Sequence, residues 1–167
     1  MRLVTKVLFD TIETIKQNQG KIDKLVIILD AEEKEAVVRK QEVLEKIEEK
    51  YVLAQLNFSV EIFVCNHCFE TWLLGCEEIY SSEVEADSFF YEYYSHYNIA
   101  QNDPIAKYHF HYLHEMFRYQ RIRYTKSKPD YVAKAGYLDG IRNRITRTEH
   151  LQSFNEFYDF IIKESSQ

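Results

Sequence analysis

Glycine and proline are scarce in this chain of 167 residues, with four and two copies respectively. Both residues punctuate local structure, so their scarcity predicts long helices and few tight turns. Three cysteines are too few, and an odd number, for a disulfide framework. They point to a reducing, cytoplasmic setting. No apolar run reaches 18 residues, so no helix spanning a membrane is expected. The first residues lack the basic start and continuous apolar stretch of a secretory signal. Between Tyr51 and Ala106 there is no lysine or arginine, against nine Asp or Glu.

The missing positive charge is concentrated further on. From Arg118 to Arg147 there are nine Lys or Arg against Asp130 and Asp139 alone, within a chain of net charge −6. Such segregation predicts a basic face for an anionic partner on an otherwise acidic protein. Aromatic residues are plentiful, with 13 Tyr and 11 Phe, which predicts a core rich in rings. The length suits a single domain over 1–167.

Apolar periodicity orders the first half. Leu3, Val4, Val7, Leu8, Ile12 and Ile15 form a helical stripe over residues 2–18, stopped by Gly20. Lys24–Asp30 carries five consecutive apolar residues and reads as a parallel strand buried on both faces. Residues 33–51 read as an amphipathic helix, 58–64 as a second strand and 68–80 as a further helix. This alternation predicts an α/β fold: a small parallel, Rossmann-like sheet within an αβαβα core over 1–80. Residues 81–167 read as a mainly helical C-terminal part. Helices are expected over 86–97, from Pro104 with Asp103 as its cap to Tyr119, and near 138–147 and 151–163. Two strands make a poor sheet, so a further strand is expected at its open edge from a homodimer, a protein partner or a segment of this chain that reads as helix.

The two strands end alike. Asp30 and Glu32 follow the first, and Glu70 opens the helix after the second. The C-terminal edge of a parallel sheet is where ligands and metals bind. Three carboxylates there suit Mg²⁺, which takes a few carboxylates and keeps its waters. The same residues also suit ordinary helix capping, because acidic groups favour helix N-termini. Cys65-Asn66-His67-Cys68 has the spacing of a redox pair at a helix start, or of two packing residues. His109, His111 and His114 cluster without any established zinc spacing. Arg118, Arg121, Arg123, Lys126 and Lys128 alternate with Tyr119 and Tyr124, and Arg142, Arg144 and Arg147 extend the series. Cations that contact phosphates and rings that stack on bases suggest nucleic-acid binding, against a merely solvated face.

The segment Asn66-His67-Cys68-Phe69-Glu70-Thr71-Trp72-Leu73-Leu74 resembles the N-P-C-F-E-x-W-L-L segment of TOPRIM-type nucleases, specifically the RloB-like group and its relatives. Asp30-Ala31-Glu32 resembles that family's D-x-D strand end, and Ser153-Phe154-Asn155-Glu156-Phe157 its S-F-x-x-F ending. The departures are His67 for proline and Glu32 for the second aspartate. The resemblance implies a TOPRIM-like fold, a place in bacterial or phage defence, and Mg²⁺-assisted cleavage of a phosphodiester by Asp30, Glu32 and Glu70. The family also draws a catalytic glutamate from a turn after its first strand. Here Arg2–Phe9 already reads as the helix that follows that turn. The expectation is therefore a chain that does not cut by itself and acts through a partner protein or nucleic acid. An active Mg²⁺-dependent nuclease is the alternative.

Overall fold

The computed structural model describes residues 2–18, 20–80, 94, 96–101 and 108–166, with side chains from Lys6 onward. It has the α/β order that the periodicity predicts. Helix α1 (Arg2–Gln17) leads to strand β1 (Lys24–Asp30), helix α2 (Ala36–Glu48) and strand β2 (Ser59–Cys65). Then come the short helix α3 (Phe69–Leu73), α4 (His109–Tyr119), α5 (Ala135–Thr148) and α6 (Gln152–Ser165). Among the described residues the sheet has two strands, β1 beside β2, and is parallel. Its register follows from three bonds: the Ser59 N–H donates to Asp23 O, Ala31 to Cys65 O and Glu32 to His67 O. The half of the chain after β2 is rich in helix. Among the described residues no helix is long and apolar enough to cross a membrane. The expected helix over 86–97 and the Asp103–Pro104 start lie largely outside the described residues.

Two compact units emerge: Met1–Leu29 with Lys34–Val64, and Asp30–Glu33 with Cys65–Gln167. The first unit has an aliphatic core. Ile12, Ile15, Ile47, Tyr51 and Phe58 are buried together, with Leu8, Leu25, Ile27 and Val43 packed against them. Its charged groups join at the surface, where the Tyr51 hydroxyl donates to Glu13 Oε1 at 2.7 Å. Strand β1 is not buried on both faces as its apolar run suggests. All seven residues stay partly accessible, and Ile28 is 41% exposed. Leu25 and Ile27 pack against the core.

The second unit is aromatic. Trp72 is 1% exposed, stacks on Phe157 at 5.5 Å and meets Phe154 edge-on at 5.4 Å. Its indole N–H donates to Ser153 Oγ at 2.9 Å. Tyr94 stacks on Tyr112, and Phe117 contacts Tyr124, Tyr131 and Tyr137. The helix expected over 68–80 is much shorter, ending at Leu73 with a 3₁₀ turn at Glu77–Ile79. The helix stops just before Gly75, where the chain is closely approached. A Cβ there would lie 2.3 Å from Leu151 Cδ1 and 2.9 Å from Trp72 O, so this glycine lets the segment before α6 dock against the turn.

Candidate acidic strand edge and basic segment

Asp30 is the last residue of β1, and its Oδ1 accepts the Phe69 N–H at 2.8 Å. That bond satisfies one of the donors that a helix start leaves without an intrahelical partner. Burial is the main force pushing the Asp30 carboxyl above its ordinary pKa; the Phe69 N–H opposes it and the Glu70 charge adds to it. Asp30 and Glu70 are therefore close enough to feel each other, both at the C-terminal ends of the parallel strands.

Glu70, in the first turn of α3, is only 2% exposed. A carboxylate so buried needs a counter-charge. Lys126 supplies it, with Nζ 2.9 Å from Glu70 Oε1. The bond to Glu70 is the main reason the Lys126 ammonium titrates above its usual range, and the Asp30 charge adds to the effect. Lys126 sits in a tight turn closed by the Lys128 N–H donating to Thr125 O at 2.9 Å. The preceding Tyr124 is buried and touches Phe117 and His114, which anchors the turn.

Glu32 behaves differently. Its side chain is exposed, and its backbone lies in the left-handed region at φ 59°. His67 mirrors it at φ 68°, and the Glu32 N–H donates to His67 O at 2.8 Å. The loops after β1 and β2 are thus tied together by two residues of unusual conformation. Proline, which the resembled family carries at the position of His67, is locked near φ −65° and could not take this geometry. Among the described residues no group of three or more His, Cys, Asp or Glu side chains is placed to hold a metal ion. Asp30 caps a helix, Glu70 is matched by a lysine and Glu32 faces solvent.

The C-x-x-C spacing does not produce a reactive thiol. Burial raises Cys65 and pushes Cys68 up to about 11, where a thiolate is scarce at neutral pH. Cys65 belongs to β2 and is fully buried, the mark of a packing residue. The histidines disperse as well. His109 is buried with Nδ1 2.9 Å from Thr71 Oγ1, His111 is exposed, and His114 lies against Phe110.

Of the basic series, Arg118, Arg121, Arg123 and Lys128 are exposed, beside a half-exposed Tyr119. Arg118 pairs with Glu115 at 2.8 Å, both in solvent. Arg147 is tied to Glu77. Arg144 leaves the series altogether: it is buried, and its guanidinium donates to Tyr94 O at 2.6 Å and Tyr97 O at 2.8 Å. Spacing could have revealed this. Tyr137, Ile141, Arg144 and Ile145 share one helical face, and the other three are apolar. The partnership of Lys126 with Glu70 had no such signal, because 56 positions separate the two residues. Comparison with protein-family models, curated proteins and solved structures finds no match for this chain.

Proposed function

We propose that this chain is a non-catalytic, TOPRIM-like binding protein of a bacterial or phage conflict system, acting through nucleic acid or a partner protein. One observation carries the reading: a lysine of the chain itself, Lys126, stands against the buried Glu70 where a nuclease of this type would hold its cation. Mg²⁺ chemistry at Asp30 and Glu70 would require Lys126 to leave. A buried carboxylate with a built-in counter-charge is a stable arrangement that needs no ligand. The packing of Trp72 on Phe154, Phe157 and Ser153 also supports the resemblance, since it joins two of the resembled segments.

Nucleic acid is the anionic partner that the exposed Arg118, Arg121, Arg123 and Lys128 suit best. Their cations would neutralise phosphates, and Tyr119 offers a ring for stacking. The competing reading, a Mg²⁺-dependent nuclease, draws on the nearness of Asp30 to Glu70. Fluorescence anisotropy with single- and double-stranded DNA and RNA tests the first reading. Binding should weaken steeply with salt, and replacing Arg121, Arg123 and Lys128 by alanine should lower both affinity and the slope of log K against log salt. No binding at about 50 mM salt, where phosphate contacts are strong, would overturn the nucleic-acid reading. A cleavage assay with Mg²⁺ or Mn²⁺ decides between the two. Cutting that disappears in Glu70→Gln, with folding retained, would make the nuclease reading correct.

A further inference from the structure

We propose that β1 is a dimerisation strand, pairing antiparallel with β1 of a second copy about a two-fold axis at Ile27. The inference names a partner for the binding reading above and rests on that reading only for its biological sense.

An apolar groove of about 510 Å³ runs along β1, bounded by Val7, Leu8 and Thr11 of α1 and by residues 25–29. Successive strand residues point to opposite faces of a sheet. Five consecutive ones can line a single groove only along the strand's edge. That edge has no neighbouring strand among the described residues. The bonds to β2 show which backbone groups it presents. Asp23 O and Ala31 N–H face β2, so the odd-numbered residues of β1 bond inward. The even-numbered residues, including Val26 and Ile28, direct their N–H and C=O groups away from β2. An open, apolar strand edge is a template for another strand, and the strand's own sequence does not blunt it: Leu25–Leu29 contains no charge, proline or glycine.

A second copy fits this edge better than an arbitrary strand, because the ends of β1 are complementary in charge. The strand begins with Lys24 and ends with Asp30. In an antiparallel pair centred on Ile27, Lys24 falls opposite Asp30 of the other copy, twice. Val26 falls opposite Ile28, Leu25 opposite Leu29, and Ile27 opposite itself. Every polar-backbone position then meets another, and each side-chain pair is either oppositely charged or apolar, the pairings that stabilise sheets. A shift of two residues in either direction would break both charge pairs. Lys24 and Asp30 already have contacts within their own chain. The proposal asks only that they come to lie opposite. The product is a four-stranded sheet, β2-β1-β1-β2. The axis through Ile27 keeps both copies of α1 on the same face, where the exposed Val7 would be covered.

Sedimentation velocity on the full chain tests the association. Wild type should sediment as a dimer of the 20.1 kDa chain at micromolar concentration. Ile28→Lys places two like charges at the apolar centre and should yield monomer with unchanged circular dichroism. Lys24→Glu should weaken the dimer about tenfold or more. Oxidative cross-linking tests the register. Ile27→Cys should give a disulfide-linked dimer, because facing positions of a non-hydrogen-bonded pair lie within disulfide reach. Leu25→Cys, facing Leu29, should not. A monomeric wild type, a dimer indifferent to Ile28→Lys, or cross-linking that favours Leu25→Cys over Ile27→Cys would each overturn the proposal. None of these results would alter the nucleic-acid measurement, so the two readings fail separately.

Discussion

Strand β1 and helix α3 reverse the usual relation between hydrophobicity and burial. The strand has five apolar residues in succession, yet every one of its residues keeps some exposure. The helix is five residues long and contains Glu70 and Thr71, yet four of its residues are buried. What differs is what arrives to cover each segment. Trp72 receives Phe154, Phe157 and Ser153 from α6, and Thr71 receives His109 from α4. The edge of β1 receives no second strand among the described residues. Apolar sequence therefore states a demand for cover, and only a second segment meets it. Where the demand is strongest and unmet, an intermolecular contact is the economical explanation.

This contrast is sharpest at Trp72 and Ile28. Trp72→Ala should destabilise the protein by about 3–5 kcal/mol, as truncation of a large buried ring does. Ile28→Ala should cost the monomer no more than about 0.5 kcal/mol, as at most surface positions. Urea unfolding measured well below the dimerisation concentration compares them. Similar losses would mean that β1 is covered as fully as α3.

A smaller effect is expected at Lys126. Lys126→Met removes the counter-charge of a buried carboxylate, which in a fully buried pair costs about 3–5 kcal/mol. The lysine side chain is 64% exposed, so solvent screens much of the interaction and about 1–2 kcal/mol is expected. Pairing this variant with Glu70→Gln should recover most of the loss in denaturant unfolding. If Lys126→Met is neutral alone, the ion pair does not hold the strand edge together.

The smallest effect concerns Asp30 and is read through pH. Burial raises its folded pKa above the ordinary value of 3.8. Within that window the folded state holds a proton that the unfolded state has released. The stability from this group is therefore present at low pH and is lost as pH rises through the folded value. Asp30→Asn keeps an oxygen acceptor for the Phe69 N–H and abolishes the titration. Its stability relative to wild type should rise with pH across the window and level off by neutrality, as followed by thermal melts. A relative stability that falls with rising pH would show that the charged form is the favoured one.

Much of the fold was legible in the residues. The limits of β1 coincide with its apolar run, and β2 is displaced by one position from the predicted 58–64. Helix α1 ends near Gly20, whose φ of 77° suits the residue that closes a helix. The meeting of Asp30 with the start of α3 was legible too, since both lie at the ends of apolar strands. The length of α3 was not. Phe69–Leu73 continues into Leu74, a good helix former, and the helix stops where Gly75 packs closely against Leu151. Arg144 was misplaced because its charge outweighed the apolar face on which it sits. It is retained inside because two backbone carbonyls accept its donors.

Periodicity, charge segregation and turn residues are local properties, and they sufficed for the order of helices and strands, the parallel α/β start and the exposed basic run near Arg121. The partner of each buried polar group is not a local property. That Glu70 would face Lys126, that Arg144 would hold Tyr94 and Tyr97, and that Trp72 would rest on α6 were decided by the tertiary structure. The physical reason is the same in each case. A buried charge or ring is stable only beside a particular complement, and chain folding brings that complement from 47 to 85 positions away.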